Sequence, residues 1–188
     1  MAAINLPKHN LAFVHIPKNG GSSVVRWFKD NNIPHERVQG HPSLELMKKN
    51  WTINRSFAIV RNPWARMVSA YFYLKQYGFY WEENNIKTID EFPTWDEFIM
   101  NLDYNTNSWN NISTNQVDWM SGGVDFVLRL EKIRDDFKLI QDIVECDAPL
   151  QMINTSEHDY YRNYYTTAQI DHVWKVFERD IQLFKYAF

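Results

Sequence analysis

Leu11-Ala-Phe-Val-His-Ile-Pro-Lys-Asn-Gly-Gly-Ser-Ser23 runs from an apolar stretch through a sharp turn into a segment of helical periodicity. The same order returns in Phe57-Ala-Ile-Val-Arg-Asn-Pro-Trp-Ala-Arg-Met-Val-Ser-Ala70. Each reads as a strand, a loop and a helix N-terminus, the unit from which parallel α/β sheets are built. Backbone N–H groups at a helix N-terminus have no intrahelical partner, and the helix dipole adds about half a positive charge there, so anions settle at such ends. In the first loop Lys18 supplies a full charge, Gly20 and Gly21 allow close backbone approach, and Ser22 and Ser23 offer hydroxyl donors. The natural guest is a phosphate. In the second loop Asn62 is the expected N-cap, and Pro63 suits the first helical position, where its missing donor is not needed. Ser69 then lies almost two turns in, roughly 9 Å along the helix axis.

Working outward, the pattern predicts a strand over 11–16, a helix over 22–31, a loop with short elements to 55, a strand over 57–60 and a helix over 63–76. A polar, aromatic-rich stretch from Tyr77 to Asn115 follows, with a helix from Trp95 to Leu102 that Thr94 caps. Gly122-Gly123 breaks the chain before a strand over Val124–Leu130. Ile133, Phe137, Ile140 and Val144 then form a helical stripe within Glu131–Cys146, and a last amphipathic helix runs from Ala168 to Phe184. No repeat, linker or low-complexity segment is visible, so one domain over 1–188 is expected. The fold class is α/β, a three-layer arrangement with a central parallel sheet flanked by helices. Right-handed crossovers bring both loops to the C-terminal sheet edge, where ligands of open α/β sheets bind.

Composition narrows the partners. The chain has 188 residues, 45% hydrophobic and 23% charged, and a formal net charge of −3. Such a chain buries a substantial core, and its charge excludes a nucleic-acid binder relying on bulk positive potential. Any basic patch is local, and Lys18, Arg26, Arg61 and Arg66 are placed to make one. The single cysteine, Cys146, excludes an internal disulfide and a cysteine zinc cluster and suits a reducing compartment. Met1 to Asn10 contains no apolar leader core, and no stretch reaches the roughly 20 apolar residues of a membrane span. A soluble, cytoplasmic protein is expected. Eight tryptophans and an aromatic content of 16% mainly serve the core, where large rings bury most area.

Pro17-Lys-Asn-Gly-Gly-Ser-Ser23 is not the phosphate loop of nucleotide hydrolases, whose lysine directly follows its second glycine. It resembles the 5′-phosphosulfate loop of sulfotransferases that use 3′-phosphoadenosine 5′-phosphosulfate (PAPS), where Pro-Lys-Thr-Gly-Gly-Thr-Ser is a common form. Arg61-Asn-Pro-Trp-Ala-Arg-Met-Val-Ser69 resembles that family's 3′-phosphate motif. Two looser matches extend the likeness: Val124-Asp-Phe-Val-Leu-Arg-Leu-Glu131 with its helix, and Asn154-Thr-Ser-Glu-His-Asp-Tyr-Tyr-Arg-Asn-Tyr-Tyr165 with the terminal aromatics. The resemblance implies a P-loop-like α/β fold and PAPS as cofactor, without a metal. It assigns Lys18, Asn19, Gly20, Gly21, Ser22, Ser23, Arg61 and Ser69 to the nucleotide, and implies an acceptor hydroxyl, on a carbohydrate in the branches it most resembles.

Sulfuryl transfer places charge on the leaving oxygen, so positioning and electrostatics dominate, and Lys18 is the donor to that oxygen. The acceptor hydroxyl loses a proton as it attacks, which calls for a base within hydrogen-bond reach. His15, His35, His41 and His158 are the candidates, with His15 inside the first strand as a buried residue. His41, in Gln39-Gly-His-Pro-Ser-Leu-Glu-Leu46, stands where heparan sulfate 2-O- and 6-O-sulfotransferases carry a Gly-x-His or Gly-His base, and it is favoured, with Glu45 in reserve. Gln116 and Trp119 precede the glycine pair where family members approach the acceptor, and Tyr80 and Trp81 could stack on a sugar ring. Trp64 packs or contacts adenine, His158 is structural or shapes the nucleotide loop, and Arg162, with Tyr161, reaches the nucleotide or makes a surface salt bridge. Two other readings of the cradle stand beside this one: a small-molecule kinase, which needs a Mg²⁺ site, and a non-catalytic nucleotide-binding module.

Overall fold

The computed structural model describes residues 2–76, 92–103, 112–153 and 158–188. The strands are β1 (Ala2–Leu6), β2 (Leu11–Val14), β3 (Glu36–Gln39), β4 (Arg55–Val60) and β5 (Phe126–Arg129). The helices are α1 (Gly21–Asp30), α2 (Leu44–Asn50), α3 (Pro63–Gln76), α4 (Trp95–Met100), α5 (Gln116–Trp119), α6 (Ile133–Asp136), α7 (Lys138–Val144), α8 (Thr167–Val176) and α9 (Glu178–Phe184). The chain forms two compact units, Met1–Arg61 with Gln116–Thr155, and Asn62–Asn115 with Ser156–Phe188.

The first unit is a sheet in the order β3-β1-β2-β4-β5. Phe13 of β2 pairs with Phe57 of β4, and Phe57 with Phe126 of β5, all parallel. The expected parallel sheet is therefore present where it carries the two loops. The other side is mixed, because β1 runs antiparallel to β2 and β3 antiparallel to β1. β1 returns to β2 through the 3₁₀ turn Pro7–His9 and Asn10, whose left-handed φ of 50° reverses the chain. Residues 11–14 of β2 and 56–60 of β4 are buried without alternation, as parallel strands covered on both faces are. Asp125 fixes the entry to β5, its carboxylate accepting from both the N–H and the hydroxyl of Ser56 at 2.8 Å.

One sheet face joins a core with Val24, Trp27 and Phe28 of α1, spaced to share one helix face. Ile133, Phe137, Ile140 and Val144 complete it, which is the stripe read from the sequence. They are carried by α6, the joint at Phe137 and α7, not by one helix. Phe137 sits at the joint with its ring edge-on to Trp27 at 5.0 Å, so packing decides where the helix yields.

The second unit is helical and aromatic. Trp64, Met67, Tyr71 and Leu74 of α3, Phe98 and Ile99 of α4, Val173, Phe177 and Ile181 form its core. Asn62 caps α3 as expected, its side-chain oxygen accepting from Trp64 at 3.0 Å and Ala65 at 3.3 Å. Thr94 with Glu97, and Thr166 with Gln169, form reciprocal capping boxes that start α4 and α8. The single C-terminal helix expected over 168–184 breaks at buried Phe177 into α8 and α9. Arg66 does not belong to a surface basic patch: it is fully buried, donates to the Thr114 carbonyl at 3.0 Å and lies 5.8 Å over the Phe177 ring. Tyr80 and Trp81, offered as sugar-stacking residues, lie outside the described residues.

Candidate active site

β2 ends at Val14, and the chain then turns through His15 to Gly20 before α1 begins at Gly21. Lys18 has φ +69° and Gly20 φ +76°. Left-handed backbone is what curls consecutive N–H groups into an anion-binding concavity, and for a lysine it carries strain that functional loops tolerate. Glycine is needed at both positions of the pair. A Cβ on Gly20 would lie 2.8 Å from Leu130 Cδ1, and one on Gly21 would lie 2.1 Å from both Cδ2 and Nε2 of His15. Ser23 is buried and its hydroxyl oxygen accepts from the Ile153 N–H at 2.9 Å, anchoring the helix start to the segment after α7.

The two loops meet through their cations. Arg61, the last residue of the first unit, donates from Nη1 to the Lys18 carbonyl at 3.2 Å. Burial, and secondarily the Arg61 charge, lower the Lys18 ammonium from 10.5 to about 7. Such a pair is electrostatically poised for an anion.

Beneath them lies a buried amide network. Asn19 turns its side chain inward, donating from Nδ2 to the Ile59 carbonyl at 2.7 Å and to Gln116 Oε1 at 2.6 Å. Gln116, fully buried at the start of α5, also accepts from the Arg61 N–H and donates to the Arg61 carbonyl, both at 2.9 Å. Gln116 was read from sequence as an acceptor contact; its side chain instead grips the two loops. The inward Asn19 side chain likewise serves the loop junction. Nothing in the local pattern marks a glutamine 55 residues from Arg61 and 97 from Asn19 as the link between their loops.

His41 stands after β3 and the left-handed Gly40 (φ +86°), before Ser43 caps α2. Its Nδ1 lies 2.6 Å from the His15 carbonyl. A carbonyl only accepts, so Nδ1 carries the proton, and in the neutral ring Nε2 holds the lone pair. The ring lies edge-on to the buried His15 ring at 4.6 Å, and His15 stacks on Phe13 at 5.4 Å. The Trp119 indole N–H donates to the His41 carbonyl at 3.1 Å. Thus Trp119 holds the histidine's backbone. His41 is half-buried, whereas Glu45 projects exposed from α2.

The remaining candidates separate. Ser69 is buried on α3 of the second unit. Trp64 is buried there too, donating to the Ile170 carbonyl at 3.2 Å, so it packs. His158 stacks on Phe72 at 5.6 Å, and Arg162 lies 5.4 Å over the Phe188 ring. His35 bonds the Ile33 carbonyl through Nδ1 at 2.7 Å. Arg26 is exposed and paired with Asp30 at 2.6 Å. A cavity of about 350 Å³ opens along α1, lined by Ser23, Arg26, Trp27, Pro149, Gln151 and Ile153 among others. Among the described residues no group of three His, Cys, Asp or Glu could hold a metal ion, and no helix is long and apolar enough to cross a membrane.

A family model described as the sulfotransferase family matches residues 2–187. No curated protein and no solved structure gives a significant match. With a match spanning nearly all its length and an α/β sheet carrying both loops, the chain belongs to the sulfotransferase family.

Proposed function

We propose that the chain, as one domain over 1–188, moves the sulfuryl group of PAPS to an acceptor hydroxyl, with Lys18 at the leaving oxygen and His41 as general base. The observation that carries the reading is the convergence of Lys18 and Arg61 at a turn where glycine is sterically required, with the lysine lowered to about 7. Two cations so placed fit a polyanion, and the glycine turn leaves room for its oxygens. PAPS supplies the activated sulfuryl group when bound. Gly20, Gly21, Ser22 and the backbone of Asn19 would hold the 5′ end, Ser23 adding its hydroxyl hydrogen, with Arg61 and Ser69 at the 3′-phosphate. The cavity along α1 shares Ser23 with the cradle, and its mixed lining of Trp27, Pro149, Ile153, Gln151 and Asn31 suits a planar base and its sugar.

For the transfer, the acceptor oxygen would bond to sulfur as the bond from sulfur to the phosphate oxygen breaks. His41 Nε2 would take the acceptor proton, and protonated Lys18 would stabilise the charge left on the phosphate oxygen. A carbohydrate acceptor follows from the likeness of the Gly40-His41 segment to heparan sulfate sulfotransferases. Calorimetric titration with 3′-phosphoadenosine 5′-phosphate, against ATP and without metal, tests the reading. Tight bisphosphate binding with weak ATP binding is expected; a folded sample that ignores the bisphosphate refutes it.

A further inference from the structure

The Gln116 side chain bonds both loops, and its carboxamide is used in a single sense. Its oxygen accepts from two donors, Asn19 Nδ2 and the Arg61 N–H, while its nitrogen donates to the Arg61 carbonyl. Turning the amide over would set donor against donor and oxygen against oxygen, so the hydrogen-bond pattern fixes the orientation. Asn19 adds a grip on Ile59, two residues before Arg61 on β4. Asn19 directly follows Lys18. The path Lys18–Asn19–Gln116–Arg61 is therefore a short, buried brace between the two cations, closed by the bond from Arg61 Nη1 to the Lys18 carbonyl.

From this we infer that Gln116 is a positioning residue: it sets the span between the two phosphate-binding loops and so makes the site select a nucleotide phosphorylated at both ends. This rests on the sulfotransferase reading above. A ligand with two phosphates gains from the second only if both holding groups stand at the right separation, because the second contact is then intramolecular. A 5′-monophosphate uses the first loop alone. Loosening the brace therefore lowers bisphosphate affinity and leaves monophosphate affinity nearly as it was.

The test compares Kd for 3′-phosphoadenosine 5′-phosphate and adenosine 5′-monophosphate in the wild-type chain, in Gln116→Met, which keeps volume but removes all three bonds, and in Asn19→Leu, which keeps the shape and removes the Asn19 side-chain bonds alone. Losing buried hydrogen bonds should cost the bisphosphate roughly tenfold or more in Gln116→Met, and the monophosphate less than about threefold. Asn19→Leu should shift the ratio the same way by less. Selectivity unchanged in a folded Gln116→Met protein overturns the inference. If that variant does not fold, Asn19→Leu decides, and an unchanged ratio there overturns it equally. Should the wild-type chain bind neither nucleotide, the sulfotransferase reading itself fails, which is a different result from unchanged selectivity.

Discussion

Binding of the bisphosphate should draw a proton from solution at pH 8, because Lys18 is held near 7 without an anion beside it. At that pH a group titrating at about 7 is roughly 9% charged, and the ligand phosphates, with second pKa near 6, are already ionised. A bound dianion favours the ammonium form and returns Lys18 towards 10.5, so close to one proton, about 0.9, is taken up per nucleotide. Affinity should then weaken by nearly tenfold per pH unit between about 7.5 and 9.5, and be independent of this group below about 6. The sign for stability is the reverse of a salt-bridged lysine. Without ligand, Lys18 is more easily protonated in the unfolded chain, so its burial costs stability in full below pH 7, and the cost fades as pH rises from about 7 to 10.5. Calorimetric titrations at pH 8 in buffers of different ionisation enthalpy count the protons directly, with Lys18→Met as the control that should take up none. Tight binding without proton uptake, or equal uptake in Lys18→Met, refutes the reasoning.

His41→Ala should lower kcat by about 10²–10⁴ while bisphosphate Kd stays within about threefold, because the ring is assigned to the acceptor proton and not to the nucleotide; unchanged turnover in the variant moves the base elsewhere. Gly21→Ala places a methyl 2.1 Å from a histidine ring pinned against Phe13, and overpacking of this kind costs about 1–3 kcal/mol. Thermal unfolding should drop by several degrees with weaker nucleotide binding, and a variant with native Tm and native Kd shows that His15 does not confine the turn.

Both loops, the central strands and the start of α3 were legible because their determinants are local. Gly20 and Gly21, Asn62 before Pro63, and the unbroken apolar runs of β2 and β4 each state their conformation within a few residues. β3 was not, since Glu36, Arg37 and Gln39 hide a strand that forms only by pairing with β1 at the sheet edge. Nor were the breaks at Phe137 and Phe177, where buried aromatic packing overrides a helical stripe that continues on both sides. In the site, the chemical types were readable and the supports were not. Asn19 looks like a ligand residue beside Lys18, but an amide in a buried setting must satisfy its hydrogens, and it does so on Ile59 and Gln116. Arg66 looks like part of a basic patch until its burial over Phe177 is seen.

Four-residue α5, which the sequence pattern does not mark as a helix, reaches several segments of the first unit. Gln116 and Trp119 are three apart, which places them on one side of a single helical turn. The first bonds Asn19 and Arg61, and the second bonds the carbonyl of His41. The exit from α5 is tied as well: the Ser121 carbonyl accepts from Glu45 N–H at 2.9 Å, and the Gly122 carbonyl from Lys48 Nζ at 2.7 Å, both on the helix that follows His41. A turn this short has no stability of its own and is held by what it contacts. Its contacts are the cation loops on one hand and the histidine segment on the other. The groups proposed for the leaving oxygen and the acceptor proton thus share one support, each tied to its own end of α5, so a Gln116 substitution should act first on nucleotide affinity and a Trp119 substitution should shift turnover more than nucleotide affinity, because its bond reaches only the histidine side.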